Sequence, residues 1–246
     1  MKLKVLDKTI DFFEHNMSSI NRIAVSSSIG TDSTILLYLT ALYLPDKKII
    51  PYCIVESQFP KQKPNLLKIV DYLRSKLPNK NLTEPLFDYV DYNSYGSEWR
   101  LKAIASPGDF PKRKRGNEGR AKTLAVKYYT NKRLDKGDFD YFVSGTTSNP
   151  PIEVLKELRC DYEEERSNRK TPIITPNFYS PFHHIDKRYI AELWKKYDLM
   201  EIFNLTISCI NCPLYENWFS TNIPCKKCYF CSEKKWAFGM YDGGIK

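Results

Sequence analysis

Short apolar runs along this chain alternate with segments whose apolar residues recur every three or four positions. Ile23-Ala24-Val25, Ile49 to Val55, Leu86 to Val90 and Phe139 to Val143 are continuous runs, the pattern of strands buried on both faces. Between them, the stretch from Ile35, Leu66 to Leu77 and residues 119–133 carry helical spacing, and the signal returns after Asp186. Leu124, Ala125, Tyr128 and Tyr129 mark the inner face of the third helix, and Ile190, Leu193, Trp194 and Tyr197 that of the last. Val5, Leu6, Ile10, Phe12, Phe13 and Met17 predict an opening amphipathic helix over 5–17. Strands alternating with helices imply parallel pairing through crossovers, an α/β fold. Residues 95–118, with Pro107-Gly108, Pro111 and Gly116-Asn117, read as a long mobile loop.

Composition narrows the picture. The 246 residues suffice for one large domain, and their ordinary apolar content excludes a disordered or collagen-like chain. The longest apolar run, Ile35 to Leu44, is too short for a bilayer, and Asp7, Lys8 and Asp11 deny the N-terminus a secretory core. The expected compartment is the cytoplasm. Lys and Arg exceed Asp and Glu by 38 to 29, which favours a polyanionic partner. Four of those cations form one run, Lys112-Arg113-Lys114-Arg115, which could cover nucleotide phosphates, grip nucleic acid or lie solvated. Five of the seven cysteines crowd into Cys209, Cys212, Cys225, Cys228 and Cys231. Spacing that close suits a metal site rather than a disulfide framework. Cys53 reads as a buried small hydrophobe, and Cys160 stands alone. His183-His184 have no evident metal partners, Glu163 to Glu165 suit a solvated face, and Trp194, Tyr197 and Trp236 suit the core.

Chemistry enters at Ser26-Ser27-Ser28-Ile29-Gly30-Thr31-Asp32-Ser33-Thr34, between an apolar strand and an apolar helix. Such a loop aims backbone N–H groups and hydroxyls at a helix N-terminus, where the dipole favours an anion. Asp32 or Ser33 could alternatively serve as a simple cap. The Gly-Lys-Ser/Thr ending of a Walker loop is missing. With Ser28, Gly30, Asp32 and Ser33 in register, the segment resembles the Ser-Gly-Gly-x-Asp-Ser loop of the N-type ATP pyrophosphatases. Ile29 stands where the first glycine would be. The resemblance implies a Rossmann-like parallel sheet with flanking helices, ATP bound by Ser28, Gly30, Thr31, Asp32 and Ser33, a Mg²⁺ ion, and catalytic roles for Asp32 and Ser33.

At the other end, Cys225-x2-Cys228-x2-Cys231 with Cys209 or Cys212 supplies four thiols, which suit structural Zn²⁺ or an iron–sulfur cluster. Ser180-Pro181-Phe182, the helix Lys187-x-x-Ile190-x-x-Leu193, Thr206-Ile207-Ser208-Cys209 and the triple-cysteine run together resemble the C-terminal third of the 7-cyano-7-deazaguanine synthases. In that register Cys209 is the first ligand, Cys212 is spare, and Lys226 and Lys234 replace a glycine and an arginine. The resemblance implies residues 1–205 as a nucleotide-binding domain and 206–246 as a zinc-binding tail. It implies an ATP-dependent ligase that releases AMP and pyrophosphate and converts a small heterocyclic carboxylate, 7-carboxy-7-deazaguanine, with ammonia to the nitrile. Gly116 to Arg120 and Thr146 to Pro151 depart from the substrate-facing segments of that family. An RNA-modifying ATP pyrophosphatase and a catalytically quiet nucleotide-binding module therefore stay open, as does a homodimer.

Overall fold

In the computed structural model, residues 2–13, 17–56, 59–90, 116–157, 166, 169–209 and 224–246 are described. Among them the fold is a mixed α/β sheet with helices on both faces, as the alternating pattern predicts. Strands β3 (Arg22–Ser26), β4 (Lys48–Glu56), β5 (Leu86–Val90), β6 (Tyr141–Val143), β7 (Ile173–Thr175) and β8 (Phe178–Ser180) form a six-stranded sheet in the order β5-β4-β3-β6-β8-β7. All neighbours pair in parallel except β7, which closes one edge against β8 antiparallel. Central position explains the unbroken Ile23-Ala24-Val25 run, because all three side chains are fully buried.

Side chains alternate between two cores. Ile23, Val25, Ile49, Cys53 and Val55 join the larger one, with helices α1 (Thr31–Tyr43), α2 (Gln62–Lys76) and α5 (Lys187–Lys196). Ala24, Ile50, Tyr52, Phe139 and Phe142 form the smaller core beneath α3 (Gly116–Asp135), which packs Leu134 there. Thr31 and Ser33 through Ala41 are buried, so α1 is a core helix covered on most sides. The amphipathic α5 buries Tyr189, Ile190, Leu193 and Trp194, and its Asp186 cap accepts the Arg188 N–H at 2.9 Å. A short helix α4 (Ile152–Glu157), a 3-10 turn Met200–Leu205 and helix α6 (Tyr229–Phe238) complete the order. No helix among the described residues is long and apolar enough to cross a membrane.

The N-terminal expectation needs correction. Residues 2–11 form a hairpin of β1 (Lys2–Val5) and β2 (Lys8–Asp11) instead of the start of a helix over 5–17. Leu3 and Val5 are buried while Lys2 and Lys4 are exposed, a period of two that the helix-spaced residues after the turn obscure. Residues 116–118 open α3 instead of closing a loop, and 95–115 lie outside the described residues. In α3, Ala125 is buried but Tyr128 is 48% exposed. Trp194 is fully buried as expected, whereas Trp236 is half-buried beneath the Arg188 guanidinium.

Candidate nucleotide and metal sites

The sheet reverses its winding beside β3. From β3 the chain passes through α1 to β4 and through α2 to β5, then returns through α3 to β6 on the other side of β3. In such sheets the crevice beyond the strands' carboxyl ends, at the reversal, is the natural ligand site. Residues 27–30 cross that end of β3 and run directly into α1. A cavity of about 280 Å³ opens beside them, lined by Ser26 to Ser28, Tyr52 to Ile54 and Glu56, with Ala125, Phe142, Ser144 and Thr146 opposite. It is largely apolar, with the hydroxyl residues Ser26 to Ser28, Ser144 and Thr146 in its lining, and its size approaches that of small-ligand pockets.

The loop makes a left-handed turn at a residue other than glycine. Ile29 has φ +59°, a conformation that a β-branched residue rarely adopts. Its side chain is only 3% exposed and packs into the larger core, while its carbonyl accepts the Ile207 N–H at 3.0 Å. Burial and that hydrogen bond hold the strained backbone. Gly30, by contrast, lies at φ −74° and is extended. A β-carbon there would meet only Ser28 Oγ and Ser33 Oγ, at 3.7 and 3.9 Å, so the glycine leaves room beside the hydroxyls. No side chain caps α1, so the simple capping reading of Asp32 and Ser33 does not hold. Ser33 Oγ donates to the Gly30 carbonyl at 3.0 Å and lies 3.5 Å from Ser28 Oγ. Ser28, Gly30, Thr31, Asp32 and Ser33 are therefore together at one uncapped helix N-terminus. Opposite them, the backbone at Gly145 presses close: a β-carbon there would lie 3.0 Å from the Asp32 carbonyl oxygen.

Asp32 ties the loop to helix α5. Its Oδ2 accepts the Lys187 ammonium at 2.6 Å, and its Oδ1 is buried without a hydrogen-bond partner. Burial pushes the Asp32 carboxyl up, against the pull of Lys187. Lys187 in turn lies 3.8 Å from Glu233 Oε2, and Glu233 Oε1 accepts Arg166 Nη2 and the Tyr229 hydroxyl, each at 3.0 Å. Arg166 also donates to the Thr147 and Ser148 carbonyls beyond β6. Sequence reasoning missed this chain of charges. Lys187 stood in a quoted motif, but its partner is 155 residues away, and nothing local marks Arg166 or Glu233 as buried.

The four sulfurs of Cys209, Cys225, Cys228 and Cys231 lie within 4.8 Å of one another. Two elements bring them together. The turn Cys225-Lys226-Lys227-Cys228 places Lys226 at φ +57°, and the Cys228 N–H donates to Cys225 Sγ at 3.3 Å. Cys228 then caps α6, which carries Cys231. Cys209 is set by Asp242, whose Oδ2 accepts the Ser208 and Cys209 N–H groups at 2.8 Å. The buried Lys234 holds Asp242 Oδ1 at 2.5 Å and Thr206 Oγ1 at 2.7 Å. So small a cage fits four thiolates on one tetrahedral ion, whose bonds are about 2.3 Å, better than a cluster that puts each thiolate on a different iron. Hydrogen bonding with Cys228 pushes the Cys209 thiol up to about 12, and a cation at the centre would reverse that shift. Cys212, Cys160, Glu163 to Glu165 and Lys112 to Arg115 lie outside the described residues.

No family profile and no curated protein matches the chain. Solved structures similar to it include a U34-tRNA thiolase NcsA from Methanococcus maripaludis with its 4Fe-4S cluster, at 13% identity and TM-score 0.41, covering 89% of this chain and 70% of that one. An NAD+ synthetase from Burkholderia pseudomallei shares 10% identity at TM-score 0.41 over 91% and 76% of the two chains. An NMN synthetase from Francisella tularensis shares 11% at TM-score 0.43 over 88% and 76%.

Proposed function

We propose that the chain is an ATP-dependent ligase that forms AMP and pyrophosphate, with residues 1–205 as its nucleotide-binding part and 206–246 as a zinc-stapled tail. The observation that carries this reading is the loop Ser28 to Ser33, lying at the sheet's reversal and entering an uncapped helix N-terminus beside a cavity. Its N–H groups and the Ser28, Thr31 and Ser33 hydroxyls would hold the pyrophosphate end of ATP, stabilising charge as it leaves. Asp32, with one unpartnered oxygen, would organise the loop and a Mg²⁺ ion. Cys209, Cys225, Cys228 and Cys231 would hold Zn²⁺, which supplies no chemistry and fixes the tail. A reducing compartment such as the cytoplasm suits these free thiols.

The acceptor in this reading is a small heterocyclic carboxylate, 7-carboxy-7-deazaguanine or a close relative, with ammonia. Its carboxylate oxygen attacks the α-phosphorus and pyrophosphate departs; ammonia then displaces AMP to give an amide. A second ATP activates the amide oxygen, and loss of AMP leaves a nitrile. The protein's share is positioning and charge stabilisation. Incubation with 7-carboxy-7-deazaguanine, ATP, Mg²⁺ and ammonium, followed by mass spectrometry, should yield the nitrile and AMP. AMP formed only with RNA would instead assign an RNA-modifying enzyme. No AMP with any acceptor, despite bound zinc, would assign a quiet nucleotide-binding module.

A further inference from the structure

Four charged side chains run from the loop before α1 to the cysteine tail: the half-buried Asp32 and the buried Lys187, Glu233 and Arg166. One ammonium is shared by two carboxylates. Lys187, whose side chain is 6% exposed, sits 2.6 Å from Asp32 Oδ2 and 3.8 Å from Glu233 Oε2. Each carboxylate retains one buried oxygen, Asp32 Oδ1 and Glu233 Oε2, with no hydrogen-bond partner among the described residues. A buried carboxylate oxygen left unpaired is costly, and Lys187 stands within reach of both carboxylates.

We propose that Lys187 and Glu233 couple the two sites, so that a magnesium nucleotide at the phosphate loop tightens metal retention at the four cysteines. The proposal rests on the nucleotide reading above. A divalent cation that takes the free Asp32 oxygen compensates that carboxylate and releases Lys187 toward Glu233. Glu233 belongs to α6, two residues after Cys231 and five after Cys228, which caps the helix. A full Lys187–Glu233 pair therefore pins the helix that carries half of the sulfur cage. Coupling of this kind is reciprocal: zinc at the cysteines strengthens nucleotide binding by the same factor. Lys187 and Glu233 are positioning residues in this scheme.

The test measures zinc transfer from the full-length protein to a chromogenic chelator, with and without saturating Mg-ATP, alongside calorimetry of Mg-ATP binding. In the wild type, Mg-ATP should lower zinc transfer about 5-fold or more, within the usual range of coupling between sites. Glu233→Gln keeps an oxygen for Tyr229 and Arg166 but loses the charge. It should still take one zinc and bind Mg-ATP, yet show no protection. Glu233→Asp, which keeps the charge at shorter reach, should retain part of it. Equal protection in wild type and Glu233→Gln overturns the proposal. So does a wild type that binds Mg-ATP without protecting zinc, an outcome that leaves the nucleotide reading intact. A wild type that binds zinc but no Mg-ATP overturns both.

Discussion

Ile29 in the loop before α1 and Lys226 in the cysteine turn share one backbone conformation, with φ of +59° and +57°, and almost nothing else. Both stand where the resembling families carry glycine. Ile29 is buried, and its strain is offset by a side chain in the core and by the Ile207 hydrogen bond. Lys226 is exposed, and its turn is held from outside by the sulfur cage and the Cys228 N–H. A left-handed position can thus be enforced either by packing or by ligands. Glycine restored at the two sites should consequently have opposite effects.

The largest effect should come from removing what holds the exposed turn. Cys228→Ser should lose zinc and more than about 4 kcal/mol, as loss of a structural metal does, in thermal unfolding with metal analysis. An unchanged melting temperature and metal content would break the comparison on the tail side. Next comes Ile29→Gly. Deleting a buried isoleucine side chain costs about 2–5 kcal/mol and a glycine adds about 0.5–1, against about 1–2 of relieved strain. A net loss of about 2 kcal/mol in urea unfolding is expected, with Mg-ATP affinity unchanged because the loop already has glycine's geometry. A stabilised variant would show that packing is not what holds Ile29. Gly145→Ala should cost about 1–2 kcal/mol and weaken Mg-ATP binding, because its β-carbon would lie 3.0 Å from the Asp32 carbonyl. Lys226→Gly is the smallest change and the only stabilising one, raising stability by about 1 kcal/mol in the zinc-loaded protein. A destabilised Lys226→Gly would mean that its side chain, which stacks over Tyr241, contributes more than the strain costs.

These two regions also show what a sequence discloses. The strands β3 to β6 and helices α1, α2 and α5 were legible because burial on both faces, or on one helical stripe, writes itself into periodicity. The gathering of Ser28 to Ser33 at the start of α1 and of the four cysteines was legible because the first is contiguous and three of the cysteines fall within seven residues. The N-terminal hairpin was not, since Val5, Ile10 and Phe12 fit a helix when the turn between them goes unseen. The left-handed Ile29 was not either. A β-branched residue argues against φ above zero, and only the Ile207 hydrogen bond and the surrounding core show what holds it there. Lys187, Glu233 and Arg166 escaped for a third reason: their pairings span 46 to 155 residues, and isolated charges on a helix usually face solvent.

The central claim is that the loop from Ser28 to Ser33 takes the pyrophosphate end of ATP, and the bond broken in ATP tests it most directly. Phosphorus magnetic resonance of a reaction containing ATP, Mg²⁺, ammonium and the heterocyclic carboxylate should show AMP and pyrophosphate growing together, only when the acceptor is present. ADP and orthophosphate as the products would contradict it.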